Sequence, residues 1–294
     1  MTNPPPSKSE ARREPVSLAD LAQKKQRGEP IVMVTAYDYP SAQAVEETDI
    51  DLVLAGDTAA EVVLGYPATS CVSLEEMLHM TSAVRRGLRT PLLIGDLPFG
   101  TYEASDAQAV ATAQRFVKEA GADVVKLERG GTSAQRAEAI VKAGIPVMGH
   151  VGVTPQTDVA LGGRRAQGRT AERALELLRE ARALQEAGCF AIVLEAVPAR
   201  VAAAITEQLK IPTIGIGAGL GADGQVLVWH DLLGVYEWRP RFAKAFVELR
   251  PAIREALARY VCEVRTRSFP AEANCYAIDE DELARFLTAI EAGR

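Results

Sequence analysis

The sequence predicts an α/β protein, a (β/α)8 TIM barrel with an N-terminal helix before the barrel and a C-terminal helical extension after it. Eight short apolar runs recur along the 294 residues and show little alternation between apolar and polar side chains. Such runs are typical of parallel strands covered on both faces. Helix-like stretches separate the runs, and several end in glycine just before the next run. No GxGxxG motif follows the first strand, which disfavours the alternative, a doubly wound open sheet.

The chain begins with a proline-rich segment and one short helix. Residues 1–15 contain four prolines and almost no apolar side chains, so residues 1–16 are predicted to form a disordered tail. A helix is expected over residues 17–27, with Ser17 as its N-cap and Gly28 as its end. The barrel domain is predicted over residues 17–268 and the C-terminal extension over residues 269–294.

The eight strands of the barrel are predicted at the apolar runs. They are IVMVTA from Ile31, LVLAG from Leu52, PLLIGD from Pro91, DVVKLE from Asp123, PVMGH from Pro146, FAIVLE from Phe190, PTIGIG from Pro212 and QVLVWHD from Gln225. Helices between them are expected over residues 73–86, 105–120, 133–143 and 171–187. After the last strand, the pattern predicts a long helix over residues 242–265 and an acidic helix from about residue 279.

Composition disfavours several classes of function. Lys and Arg number 33 against 39 Asp and Glu, which gives a net charge of −6. An acidic chain without a long basic stripe is not expected to bind nucleic acid. No apolar run reaches the ~18–20 residues of a membrane span, and the N-terminus has no apolar leader, so neither a membrane partner nor secretion is expected. The four cysteines form no CxxC pair, which favours reduced thiols in the cytoplasm.

Polar or ionisable residues stand at the ends of six consecutive predicted strands. In chain order they are Asp38, Asp57, Asp96, Glu128 with Lys126 inside the same strand, His150 and Glu195. A charge at the end of an apolar strand is costly unless it is hydrated, paired or bound to a metal. Because the carboxyl ends of barrel strands converge on one mouth, we expect an active site there.

Three of these carboxylates suggest a magnesium site. Asp57, Asp96 and Glu128 place oxygen atoms on adjacent strands, where they can face one point. Hard oxygen ligands without clustered Cys or His favour Mg²⁺ over zinc. A 2-oxo acid could chelate such an ion through its carboxylate and keto oxygens, and the ion would then stabilise an enolate as a Lewis acid.

The remaining mouth residues are candidates for substrate binding and proton transfer. Lys126 and Glu128 lie two residues apart on one strand and therefore share a face. Lys126 is expected to pair with a substrate carboxylate, while a structural ion pair and Schiff-base chemistry remain alternatives. Glu195 is our choice for the base that removes a proton next to the carbonyl. His150 is the other base candidate, although a role in binding and orienting the substrate is more common for such a histidine.

Ordered motifs over most of the chain resemble one enzyme family. They are TAYDY (35–39), GDT (56–58), SAVRRG (82–87), GDLPFG (95–100), VKLE (125–128), GHVGVTPQ (149–156), VLEAVP (193–198), IGIGAG (214–219) and RPRFAK (239–244). On these motifs the chain resembles the ketopantoate hydroxymethyltransferases. The resemblance implies a TIM barrel that assembles as a homodecamer.

The resemblance also implies a reaction and a set of site residues. The reaction transfers a hydroxymethyl group from 5,10-methylenetetrahydrofolate to 3-methyl-2-oxobutanoate and gives 2-dehydropantoate for pantothenate biosynthesis. The implied roles are Mg²⁺ binding by Asp57, Asp96 and Glu128, substrate binding by Asp57, Thr58, Asp96 and Lys126, and proton abstraction by Glu195.

The chain departs from the family pattern outside the charged positions. Thr58 stands where the family usually has serine, and the segments 59–73 and 164–166 differ from the usual motifs. These departures leave open a divergent enzyme that acts on another 2-oxo acid. A second alternative is an enolate enzyme of the phosphoenolpyruvate mutase or isocitrate lyase type, which uses no folate. A non-catalytic barrel is the third.

Overall fold

The computed structural model describes residues 13–128, 131–160, 162–163 and 165–293. Its eight parallel strands form a closed barrel in the order β1 to β8, in which β8 pairs with β1. This confirms the predicted fold. Residues 1–12 of the predicted disordered tail and Arg164 of the altered segment lie outside the described residues.

The predicted end of the eighth strand is wrong, because residues 229–231 lie in a short helix in which the backbone N–H of Trp229 donates to Oγ1 of Thr35. The eight strands otherwise lie at the apolar runs. They are β1 (Ile31–Thr35), β2 (Leu52–Ala55), β3 (Leu92–Asp96), β4 (Val124–Lys126), β5 (Val147–Gly152), β6 (Ala191–Glu195), β7 (Thr213–Ile216) and β8 (Gly224–Leu227). Both faces of most strands are buried, which is why their sequences lack polar alternation.

Helices precede, separate and follow the strands. They are α1 (Leu18–Arg27), α2 (Tyr39–Glu46), α3 (Ala59–Val62), α4 (Leu74–Gly87), α5 (Asp106–Lys118), α6 (Ser133–Lys142), α7 (Ala171–Glu186), α8 (Ala199–Gln208), α9 (Trp229–Leu232), α10 (Leu249–Arg265) and α11 (Glu280–Ala292). Helices α1, α2, α4, α5 and α7 each begin after a Ser, Thr or Asp whose side chain accepts a backbone N–H of the first turn. In the described part of the chain, no helix combines the length and apolar character that crossing a bilayer requires.

Helix α1 packs at the amino-terminal end of the barrel. Its Leu21 is buried with the interior side chains of the strands, such as Met33 and Leu52. Lys24 and Lys25 of the same helix pair with Asp51 at 2.6 Å and with Asp223 at 2.7 Å, two carboxylates that immediately precede β2 and β8. The mouth at the opposite end of the barrel is therefore the end at which an active site can lie.

The described chain divides into two compact units. The first runs to Leu232 and includes Trp238–Ala245, and the second consists of Leu233–Glu237 and the chain from Phe246 onwards. The predicted start of the long helix at residue 242 is wrong, since α10 begins at Leu249. The reason is tertiary: Phe242 belongs to the first unit, where its ring packs against Gly217 after β7. In the second unit, helices α10 and α11 have no buried residue among those described.

Candidate active site

The predicted site residues that end β2 to β6 lie together at the mouth of the barrel. Asp57 follows β2, Asp96 ends β3, Lys126 ends β4 with Glu128 two residues further on, His150 lies in β5, and Glu195 ends β6. Parallel pairing places Asp96 opposite Lys126 and Gly152 opposite Glu195. Asp57, Asp96, Lys126, Glu128 and His150 are each no more than 3% exposed. A buried cluster of this charge density needs internal pairing or a bound ion.

Lys126 is the cation at the centre of this cluster. Its Nζ lies 2.7 Å from Oδ1 of Asp96 and 3.6 Å from Oε1 of Glu128. Burial disfavours the ammonium form, but Asp96, Glu128 and then Asp57 outweigh it and raise the pKa of Lys126 above its ordinary value. An ammonium that stays protonated can bind an anion but is a poor nucleophile, so the geometry disfavours a Schiff base.

The negative charge of ionised Asp57 and Asp96 is not fully compensated by the surrounding cluster. The backbone N–H of Asp57 donates to Oδ2 of Asp96 at 3.1 Å, so the two residues are neighbours. Burial, and then the charges of Asp96 and Glu128, raise the pKa of Asp57 well above its ordinary value. Burial also raises the pKa of Asp96, in spite of the opposing effect of Lys126. An additional cation at this position would be stabilised.

His150 stands between two carboxylates. Its Nδ1 is 3.4 Å from Oε1 of Glu128, and its Nε2 is 3.2 Å from Oε2 of Glu195, although neither pair has the alignment of a hydrogen bond. Burial disfavours the charged ring, but the two carboxylates outweigh burial and raise the pKa of His150 to about 9. The carboxylates on both sides therefore favour the protonated ring, and Glu195, whose side chain is 19% exposed, is the better placed base.

Thr58 and Asp38 occupy different positions at this end of the barrel. Thr58 follows Asp57 and is partly buried, and its hydroxyl does not cap the short helix α3. Asp38 has a structural role, because its Oδ1 accepts the backbone N–H of Ser41 at 2.8 Å and caps helix α2.

Gln156 and Tyr102 are two buried residues that sequence reasoning missed. Gln156 Nε2 donates to Oδ2 of Asp57 at 2.9 Å, and its backbone N–H donates to Oε2 of Glu128 at 3.0 Å. The Tyr102 hydroxyl donates to Oε1 of Gln156 at 2.6 Å. Both residues lie in loops, Gln156 as the last residue of GHVGVTPQ and Tyr102 two residues after GDLPFG. Their place within or beside these motifs is the one signal that could have found them.

The donor set at the mouth suits Mg²⁺ held by few protein ligands. As they stand, no three His, Cys, Asp or Glu side chains of the described residues converge tightly enough to hold one ion. The ammonium of Lys126 lies within ion-pair distance of both Asp96 and Glu128 and already occupies one oxygen of each. Mg²⁺ usually binds through one or two carboxylates and retains water, so the buried pair Asp57 and Asp96 fits this ion without a closed protein cage.

Comparison with solved structures supports the fold. A phosphonopyruvate hydrolase, solved as a complex with oxalate and Mg²⁺, matches with a TM-score of 0.57 at 16% identity, over 94% of this chain and 98% of that one. A 2,3-dimethylmalate lyase of the phosphoenolpyruvate mutase/isocitrate lyase superfamily matches with a TM-score of 0.54 at 14% identity, over 94% and 95% of the two chains. Identities this low establish a shared barrel architecture alone.

Sequence comparison identifies the family. The family model described as ketopantoate hydroxymethyltransferase matches residues 15–272. A mitochondrial 3-methyl-2-oxobutanoate hydroxymethyltransferase of Arabidopsis thaliana is 52% identical over 284 residues, covering 94% of this chain and 82% of the relative. An enzyme of the same name from Chloroflexus aggregans is 53% identical over 276 residues, covering 94% and 98%. The chain therefore belongs to the ketopantoate hydroxymethyltransferase family.

Proposed function

We propose that this protein is a 3-methyl-2-oxobutanoate hydroxymethyltransferase. The reaction joins C3 of 3-methyl-2-oxobutanoate to the methylene carbon of 5,10-methylenetetrahydrofolate, takes up water, and releases 2-dehydropantoate and tetrahydrofolate in pantothenate biosynthesis. The observation that carries the proposal is the arrangement of charged residues at the mouth. An accessible carboxylate, Glu195, lies at the same end of the barrel as a buried group of three carboxylates and one ammonium. Removing a proton next to a carbonyl requires such a base close to a site that stabilises negative charge.

Asp57 and Asp96 are the proposed direct ligands of Mg²⁺. When bound, the ion supplies Lewis-acid chemistry at the keto group of the substrate. The two oxygens of Glu128 already face Lys126 and His150 on one side and the N–H of Gln156 on the other. Glu128, the third predicted ligand, would therefore contribute mainly its negative charge to holding the ion.

Four residues of the chain hold the substrate and move its proton. Lys126 offers a fixed ammonium to the carboxylate of the 2-oxo acid, and Thr58 offers a hydroxyl that is not used as a helix cap. Glu195 takes the proton from C3, which leaves the carbon nucleophilic toward the folate methylene group. His150, whose Nε2 lies 3.2 Å from Oε2 of Glu195, holds that carboxylate in place.

Proton exchange at C3 tests the first half of this reaction without the folate. Purified protein, Mg²⁺ and 3-methyl-2-oxobutanoate are mixed in deuterated water, and the C3 proton is followed by NMR. We expect exchange that stops when the metal is chelated. Absence of exchange, with 2-oxobutanoate and pyruvate also inert, would contradict the proposal. Exchange with 2-oxobutanoate alone would indicate a divergent specificity.

A matched pair of variants tests the base. Glu195→Gln should retain binding of Mg²⁺ and of the 2-oxo acid but lose exchange by about 10²–10⁴-fold, the usual contribution of a positioned general base. Glu138→Gln is the control, because Glu138 is a half-exposed residue of α6 paired with Lys142. Exchange at the parent rate in Glu195→Gln would refute the assignment.

Assembly and location complete the proposal. We propose a homodecamer, which is supported by the apolar side chains that α10 and α11 expose, among them Leu257, Tyr260, Phe286 and Ile290. Light scattering coupled to gel filtration should then give about ten times the chain mass of 31.5 kDa, and a monomer mass would contradict it. The proposed location is the cytoplasm, in agreement with four cysteines that are free thiols.

A further inference from the structure

Gln156 occupies an unusual position behind the carboxylates of the mouth. It lies in the 3-10 turn Pro155–Thr157 that follows β5, and it is only 5% exposed. Its Nε2 donates two hydrogen bonds of 2.9 Å, one to Oδ2 of Asp57 and one to the carbonyl oxygen of Leu97. Both hydrogens of the amide are therefore used, and one of them holds Asp57.

The carbonyl of Leu97 and the hydroxyl of Tyr102 together fix which way the amide of Gln156 points. The carbonyl oxygen of Leu97 can only accept, so the nitrogen of the amide must face it. The oxygen then faces Tyr102, whose hydroxyl donates to it at 2.6 Å. The same hydroxyl accepts the backbone N–H of Glu128 at 3.3 Å. A flipped amide would place two acceptors against each other, so this network allows a single orientation.

Gln156 also reaches the second carboxylate of the group. Its backbone N–H donates to Oε2 of Glu128 at 3.0 Å. Asp96 and Glu128 have the ammonium of Lys126 within ion-pair distance, whereas the described residues provide Asp57 with no such cation and with one side-chain donor, the amide of Gln156. One neutral residue thus connects two carboxylates that come from different strands.

We propose that Gln156, oriented by Tyr102, is a positioning residue that presets Asp57 and Glu128 for a divalent cation. The inference deepens the proposed function, since it concerns the metal of the same site. A neutral amide suits this role because it fixes the Asp57 carboxylate without cancelling the negative charge that attracts the ion. Partners that orient ligands in this way commonly change metal affinity by about 10- to 100-fold when they are removed.

Metal binding in the absence of substrates tests the inference. Mn²⁺ is titrated into the metal-free protein, and free Mn²⁺ is followed by electron paramagnetic resonance. Tyr102→Phe keeps the ring but loses the hydroxyl, and Gln156→Met keeps the length but loses the amide. Both should raise the Kd for Mn²⁺ by about 10- to 100-fold. Tyr102→Phe is the milder change and keeps the test valid if Gln156→Met does not fold.

The control variant, Thr206→Val, loses two buried hydrogen bonds far from the mouth. Thr206 bonds to Ala202 at 2.9 Å and to Thr213 at 2.8 Å, next to the amino-terminal end of β7. Thr206→Val should therefore lower the unfolding temperature but leave the Kd for Mn²⁺ unchanged. This comparison separates a positioning role from a general loss of stability.

Turnover gives a second readout that a merely structural role would not move. In Tyr102→Phe, the Mg²⁺ concentration at half-maximal rate should rise, while the rate at saturating Mg²⁺ stays close to that of the parent. The inference is overturned if both mouth variants bind Mn²⁺ as tightly as the parent, or if the parent binds none. C3 proton exchange by the parent decides the proposed function separately, so the two failures are distinguishable.

Discussion

Gly152 links the backbone of β5 to the position of the proposed base. It ends β5 with a φ of +101° and pairs with Glu195 at the end of β6. A β-carbon added at Gly152 would lie 2.2 Å from the carbonyl oxygen of Glu195 and 3.0 Å from Cγ2 of Val197. Since the nearest atom is backbone, no side-chain rotation can relieve the overlap. Gly152→Ala must therefore displace the end of β6.

Gly144 provides a matched control for this substitution. Its φ is +89°, but a β-carbon added there would meet no atom within 4 Å. Both Gly→Ala changes force an L-residue into the left-handed region, at about 1–2 kcal/mol each. Gly152→Ala adds the cost of overpacking, about 1–3 kcal/mol. The free energy of unfolding should thus fall by about 1–2 kcal/mol in Gly144→Ala and by about 2–5 kcal/mol in Gly152→Ala.

The two variants should also differ in chemistry. A displacement of about 1 Å at a reacting group can cost about 10²-fold in rate, so Gly152→Ala should lose much of its C3 proton exchange. Gly144→Ala should exchange at the parent rate. Urea unfolding gives the stability difference, and NMR in deuterated water gives the rate. Equal stability losses together with equal exchange rates would refute the argument that close approach to Glu195 requires glycine at 152.

Three further predictions concern positions outside the mouth. Leu21→Ala should lower the free energy of unfolding by about 2–5 kcal/mol in urea titrations, because it empties a buried site beside α1, and exchange by the folded protein should not change. Glu46 is partly buried, but hydrogen bonds from the backbone of Arg89 and Thr90 and from the Thr90 hydroxyl outweigh burial and lower its pKa below 4.5. The stabilisation that ionised Glu46 provides should therefore be complete above pH 4.5 and disappear as the pH falls through the lower pKa of the folded state. The free energies of unfolding of the parent and of Glu46→Gln should differ by about 1 kcal/mol at neutral pH and converge in urea titrations at acid pH. Burial raises the pKa of the Cys189 thiol to about 12, so iodoacetamide at pH 8 should label exposed Cys71 and spare Cys189 until the protein is denatured, as peptide mass spectrometry would record.

The strands could be predicted from sequence because the burial of each strand is reflected in the residues of its own apolar run. In β2, all four residues of LVLA are buried, and a short continuous apolar run of this kind is typical of a strand covered on both faces. The start of α10 could not be predicted, because it depends on tertiary contact. The segment that begins at Phe242 has the composition of a helix, yet the ring of Phe242 packs against Gly217, 25 residues earlier in the chain and just beyond the end of β7.

The charged and the uncharged residues of the mouth differ in how easily they can be recognised from sequence. The charged residues are conspicuous because each closes or follows an apolar strand, and the structure places Asp57, Asp96 and Glu128 together, although their roles stay predictions. Gln156 and Tyr102 have no such signal in the sequence. They lie in loops, and their contacts join positions that are 54 and 99 residues apart in the chain. An uncharged loop side chain shows its function only when the fold has brought its partners to it.

Charge at the mouth predicts the order in which ligands bind. Four carboxylates face two cations there, Lys126 and His150, and the substrate is itself an anion. A 2-oxo acid entering without metal would meet net negative charge in a buried site, whereas the two positive charges of bound Mg²⁺ would offset that charge. With saturating Mg²⁺, 3-methyl-2-oxobutanoate at 100 times its Kd should stabilise the protein by about 2.7 kcal/mol, visible as a rise in Tm. With the metal chelated, the same concentration should leave Tm unchanged, and an equal rise under both conditions would contradict a binding order in which the cation comes first.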